Sequence, residues 1–184
     1  MKKLILILIA FTATTFAEYP TAVRIIKNFE GFSAKAYADK DQKAIGYGTE
    51  LRRAMRAGFS GTVITKMEAT EILLKCIKEN VPYIKSKIPN FDSLPETVQG
   101  ALLSAAYNSY SLIGPKLCKY INNEQYAEAC IELAYGHKGE LYGLVKRRFF
   151  EARQMALGFK VKLDFRLDVP IKGEFELLKK QYYR

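Results

Sequence analysis

The spacing of apolar residues changes period across Gly31, and this switch constrains the chain more than any other feature in it. Before the switch, Val23, Ile26 and Phe29, together with Ile25, recur at helical spacing behind Pro20-Thr21, which predicts a helix running to Glu30. Gly31 is a natural stop just past that last turn. After it, Ala36 to Ala38 and Ala44 to Tyr47 flank a polar turn through Lys40, Asp41 and Gln42, the signature of a small hairpin. Gly46 and Gly48 then allow close backbone approach or positive φ angles. The pattern places one carboxylic acid, Glu30, at a helix end and a second, Asp39, nine positions later, with a glycine-rich turn leading back towards both. Two carboxylates in different surroundings are what hydrolysis of a glycosidic bond requires: a protonated acid for the leaving oxygen and an ionised partner for water.

The rest of the chain reads as mainly helical. Gly58 to Gly61 bounds a loop, after which Thr65-Lys66-Met67-Glu68 matches a capping box and Ile72, Leu73, Cys76 and Ile77 form an apolar stripe. This predicts a long helix joining a small N-terminal lobe to a larger helical one. Ser93-Leu94-Pro95-Glu96 reads as a second capping box, with Pro in the first turn where its missing N–H costs little. Val98 to Tyr107 is apolar nearly all round, as a buried central helix would be. Gln125–Leu133 and Leu144–Leu157 are further amphipathic helices. Beyond Gly158 the period changes again: Phe159, Val161, Leu163, Phe165, Leu167 and Val169 alternate with mainly charged residues, as in a half-buried strand.

The chain is long enough, at 184 residues, for one domain with a sizeable core. Lys2-Lys3, the apolar run from Leu4 to Phe11 and the small residues of Thr15-Phe16-Ala17 read as a cleaved secretory signal, residues 1–17; an uncleaved membrane anchor is the alternative, although the apolar stretch is short for a span. That leaves a domain over residues 18–158 and an extension over residues 159–184, either packing on the C-terminal lobe or serving as a docking surface. The net charge is +10, or +8 once Lys2 and Lys3 are removed, since no acidic residue precedes Glu18. A basic protein outside the cytoplasm meets anionic wall polymers. The basic residues are scattered and no nucleic-acid-binding module is recognisable, so nucleic acid is not expected as a partner. Three cysteines, Cys76, Cys118 and Cys130, leave at least one unpaired in a monomer; Cys118 and Cys130 flank a short turn and either pair or stay buried as free thiols. No Cys/His spacing suggests zinc, and the one histidine, His137, has no partners in the pattern.

The order E-G-x-x-x-x-A-Y-x-D followed by I-G-Y-G resembles the phage-type lysozymes, glycoside hydrolase family 24. The likeness continues through Val63-Ile64-Thr65, through Ala101-Leu102-Leu103-Ser104 leading to Asn108, and through Gly143-Leu144-Val145-Lys146-Arg147-Arg148, so it covers roughly Ala22 to Gly158. It implies a predominantly α-helical α+β fold of two lobes, with a small N-terminal β element and a C-terminal helical lobe. It also implies a monomeric muramidase that cleaves the β-1,4 bond between N-acetylmuramic acid and N-acetylglucosamine in peptidoglycan without metal or cofactor. Glu30 matches the family's general acid, which a helix end facing a cleft can keep protonated by partial desolvation. Arg147 or Arg148 would orient it. Asp39 matches the carboxylate that positions or deprotonates the attacking water.

Tyr37, Tyr47 and Asn108 are the substrate-side candidates: aromatic faces suit sugar rings, and an amide offers a donor and an acceptor to N-acetyl groups. Packing alone would also account for Tyr37 and Asn108, and a chain without Trp lacks the commonest sugar-stacking residue. The family's Thr before I-G-Y-G is Ala44 here, the turn from Asp39 is one residue shorter, and Thr49 stands in place of a His. Losing one hydrogen bond to the nucleophilic water costs about 1–3 kcal/mol, or tenfold to a hundredfold in rate, with Asp41 or Thr49 as substitute anchors. That departure keeps open a catalytically weakened wall-binding or inhibitory protein, and a third reading is a secreted antibacterial effector whose tail directs delivery.

Overall fold

The computed structural model describes residues 18–39, 41–136, 142–162 and 174–183. The segment read as a signal, His137, and Leu163, Phe165, Leu167 and Val169 of the alternating tail therefore lie outside the described residues. The first helix, α1, spans Pro20–Glu30 and ends on Gly31 at φ 68°, as the period switch predicts. A three-stranded antiparallel sheet follows, β1 (Ser33–Asp39), β2 (Gln42–Gly46) and β3 (Thr49–Glu50), in the order β1-β2-β3. The hairpin is tighter than its sequence suggested. Gln42, expected in the turn, belongs to β2 and pairs with Asp39.

A short helix α2 (Leu51–Arg56) leads into α3 (Lys66–Lys87), the long connecting helix. Its capping box forms as read. The Thr65 side chain accepts from the Glu68 N–H, and the Glu68 carboxylate accepts from the Thr65 N–H. Helices α4 (Glu96–Asn108), α5 (Pro115–Asn122), α6 (Tyr126–Tyr135) and α7 (Tyr142–Phe159) build the larger lobe. The eighth helix, α8 (Phe175–Tyr182), lies within the region expected to carry strand. Phe159, expected as the first strand residue, instead closes α7.

The second expected capping box does not form. Ser93 donates to the Asn90 carbonyl, and Pro95 is the N-cap of α4 with no side-chain cap bond. Glu96 turns instead to another helix: its two carboxylate oxygens accept from the Thr21 N–H at 2.9 Å and the Thr21 hydroxyl at 2.7 Å. A carboxylate at a helix N-terminus satisfies orphan N–H groups and opposes the positive end of the dipole, so Glu96 caps α1 from across the fold.

That contact depends on how closely α1 lies on α4. A Cβ on Gly100 would meet the Thr21 Cβ at 2.6 Å and the Ala22 backbone nitrogen at 2.8 Å, so only glycine lets the two helices approach. Helix α1, first in sequence, thus packs on α4, α3 and α7. Its Ala22, Ile25 and Ile26 are fully buried, each isoleucine worth about 1.5–3 kcal/mol. Helix α4, read as apolar all round, is buried along nearly its whole length between α1, α3 and α7.

All three cysteines are free and buried. Burial pushes the Cys76 thiol up to about 11 and the Cys130 thiol up to about 12, and raises Cys118 as well. Since the thiolate is the reactive form, the native protein at pH 8 is expected to react negligibly with a disulfide-exchange reagent. All three thiols should titrate once the chain is unfolded in denaturant. Fast reaction of any one in the native state would contradict this packing.

Candidate active site

The site is built where the end of α1 meets the turn between β2 and β3. Glu30 is the last residue of α1, with its side chain 27% exposed. Its Oε1 accepts a hydrogen bond from Nη1 of Arg147 on α7, an ion pair whose guanidinium is almost wholly buried. Its other carboxylate oxygen lies against Gly48. A Cβ placed there would stand 2.8 Å from Glu30 Oε2, and Gly48 itself has φ +69°. Glycine is therefore required at position 48 twice over, by its backbone angle and by the carboxylate resting on it.

Arg147 is held in turn by a buried polar set on α4 and α7. Its Nη2 donates to the Ser104 carbonyl at 3.0 Å and its Nε to Glu151 Oε1 at 3.2 Å. The same Glu151 oxygen accepts from the Ser104 hydroxyl at 2.6 Å and from Arg148 Nη2 at 2.9 Å. Burial pushes the Arg148 guanidinium down to about 10, with the neighbouring Glu151 carboxylate working the other way. The two arginines and two glutamates balance in charge, which is what makes burying them tolerable. Of the two arginines singled out in the sequence, Arg147 touches Glu30, and Arg148 serves Glu151 behind it.

On the sheet side, Asp39 ends β1 directly opposite Gln42, and Tyr37 stands opposite Ala44. Tyr37 is 39% exposed. Partial burial raises its phenol, and the Glu30 and Asp39 carboxylates both push it further in the same direction, so Tyr37 lies within electrostatic reach of the two acids. Asn108, the last residue of α4, is exposed. Tyr47 is buried, its ring 5.4 Å from that of Phe32 with the Lys27 ammonium 4.9 Å above it. A groove of about 770 Å³ runs beside the hairpin, walled by Asp41, Gln42, Lys43, Glu50 and Arg52 among others; Glu30 is not among its walls.

Two residues that sequence reasoning passed over hold the glycine turn in place. The Tyr107 hydroxyl donates to the Tyr47 carbonyl at 3.1 Å and lies 2.9 Å from the Thr49 hydroxyl. Burial is the main cause that drives the Tyr107 phenol well above its usual range. Arg53, 5.6 Å over the Tyr107 ring, donates to the Cys76 carbonyl and to Glu79, pinning α2 to α3. Tyr107 lies next to Asn108 in a block read only as buried helix, and its polar tip was the available signal. Thr49, one of the substitute water anchors, is 3% exposed and already engaged with Tyr107.

Two outcomes follow from this packing. Glu151→Ala leaves two buried guanidinium groups without their shared acceptor and is expected to lose about 3–5 kcal/mol of stability in denaturant unfolding. Gly48→Ala is expected to cost about 1–2 kcal/mol for the left-handed backbone alone. A crystal structure of that variant should show the Glu30 carboxylate displaced from Arg147, and an unmoved carboxylate would contradict the close approach.

A family model described as phage lysozyme matches residues 27–151, more than half of the chain. The match begins inside α1 and ends on Glu151, so it spans the whole path from the helix bearing Glu30 to the carboxylate that holds Arg147. No curated protein sequence matches the chain. Among solved structures, the muramidase domain of SpmX from Asticaccaulis excentricus is 22% identical with a TM-score of 0.58, over 74% of this chain and 95% of that one. A mutant of P22 lysozyme is 21% identical with a TM-score of 0.59, over 74% and 95% of the two chains. The active form of the P1 phage endolysin Lyz is 19% identical with a TM-score of 0.59, over 76% and 84%. At these identities the structural likeness is one of fold, and it agrees with the mostly helical, two-lobed architecture with a small sheet seen among the described residues. With a family match that spans both ends of the Glu30 network, the chain belongs to the phage lysozyme family.

Proposed function

We propose that this chain is an exported muramidase that hydrolyses the β-1,4 bond between N-acetylmuramic acid and N-acetylglucosamine in peptidoglycan. The observation that carries this reading is Glu30: a part-buried carboxyl group at the end of α1, gripped on one oxygen by Arg147 and lying against Gly48 on the other. Such a group meets the geometric requirement for a general acid, because it is fixed in direction while keeping an exposed edge towards a bound sugar. When it acts, its proton passes to the glycosidic oxygen as the bond to C1 breaks. A water oxygen attacks C1 from the opposite face, and the proton that this water loses goes to Asp39. The products are two chain fragments, one with a new reducing end, and the anomeric centre is inverted.

Tyr37 stands on the hairpin face with Asp39, and Asn108 is exposed at the end of α4; they are the side chains assigned here to the sugar. Tyr47, buried under Lys27 and against Phe32, contributes by shaping the glycine turn. The apolar N-terminal segment read as a signal is assigned to export, and the net positive charge favours an anionic wall. Ala44 supports a second reading, a wall-binding protein of weakened activity, since a fully buried methyl group offers nothing to a water.

The chain starting at Glu18 is expected to release soluble fragments with new reducing ends from purified peptidoglycan. Glu30→Gln should lower that rate by about a hundredfold to ten-thousandfold while leaving sedimentation with the wall unchanged. If neither protein releases fragments and both sediment with the wall, the binding reading replaces the muramidase reading.

A further inference from the structure

A water held by a single carboxylate can swing about its one hydrogen bond, and in-line attack needs it fixed in direction as well as in distance. The register of the sheet identifies what else faces Asp39. Directly opposite residues on paired strands share a face, as do residues two apart on one strand. The pairs Asp39↔Gln42 and Tyr37↔Ala44 therefore place these four side chains on one face of the hairpin, and the pair Ala44↔Glu50 carries the row onto β3.

Within that row the choices narrow quickly. Ala44 ends in a methyl group and is fully buried. Thr49, off the row and buried, already has its hydroxyl against Tyr107. Asp41 lies outside the strands, beyond the last pair, and Glu50 is a second anion one strand further away. Gln42 remains. It is exposed, directly across from Asp39 at a Cβ separation of about 5 Å, and it lines the groove beside the hairpin. Its amide supplies both a donor and an acceptor, and it makes no side-chain hydrogen bond to another described residue.

We propose that Gln42 is the second partner of the nucleophilic water, holding it against Asp39 through its side-chain amide. The shortened turn is what brings it there: with only two residues between the strands, position 42 becomes the cross-strand neighbour of Asp39. This inference rests on the muramidase reading.

The test is steady-state release of reducing ends from peptidoglycan by the chain starting at Glu18, by Glu30→Gln and by Gln42→Ala, with thermal melting of each. Gln42→Ala is expected to melt with the wild type, since the side chain is exposed. It should lose about tenfold to a hundredfold in kcat with KM within twofold, the loss of one hydrogen bond to the reacting water. A wild-type kcat in Gln42→Ala, or a loss expressed in KM alone, overturns the assignment while the muramidase reading stands on Glu30→Gln. A wild type that releases nothing overturns both.

Discussion

One buried oxygen, Glu151 Oε1, accepts hydrogen bonds from Ser104 on α4 and from Arg147 and Arg148 on α7, and the geometry of the site hangs on it. Through Arg147 the set reaches Glu30 on α1, so three helices far apart in sequence meet at one ionic knot. Buried charges are tolerable only when paired and hydrogen-bonded, and a displacement of any one helix would strand a guanidinium or a carboxylate without water to replace its partner. The Glu30 carboxylate at the end of α1 is therefore held in direction by a network anchored in the interior of the larger lobe. The same helix is fixed at its other end by Glu96, which caps Thr21 across the close contact at Gly100.

The sheet is tied to this frame by different means. Tyr107, on α4, reaches out to the Tyr47 carbonyl and the Thr49 hydroxyl, and so fixes the turn that carries Gly48 beneath the Glu30 carboxylate. Arg53 covers the Tyr107 ring and bonds to α3. The hairpin bearing Asp39 and Gln42 is attached to the rest of the molecule through that turn, through the bridge between Lys35 and Val63 and through the packing of β2 on α2 and α3. Glu30 is thus anchored in the helical lobe, while Asp39 and Gln42 stand on the sheet of the small one.

What could be read from the residues follows the range of the interactions involved. The Thr65 capping box, the Gly31 stop and the α1 stripe are local, so pattern and structure agree. The Ser93 box has the same local signature and does not form, because Glu96 finds a better partner in Thr21, whose N–H and hydroxyl arrive from a helix seventy-five residues away in sequence. Helices α2 and α5 are short, six and eight residues, and so offer few positions from which to read a period. Nothing in the polar run of residues 40–42 marks where pairing resumes, so the pattern places Gln42 in the turn; the register puts it on β2. The Arg147 partnership was narrowed to two adjacent arginines, and helix phase decides between them, since neighbours on a helix point about 100° apart.

The sequence by itself determined the helix-to-hairpin switch at Gly31, the long capped connecting helix, the buried central helix and the two carboxylates with their glycine turn. Each of these is encoded in residues that interact within a few positions of one another. Only the tertiary structure decided which arginine grips Glu30, that Glu151 and Ser104 hold that arginine, that Glu96 caps a distant helix, and that Gln42 stands across from Asp39. Apart from the local pairs Asp39–Gln42 and Arg147–Glu151, these are long-range pairings, and their outcome depends on competition among partners that become neighbours only when the core is packed.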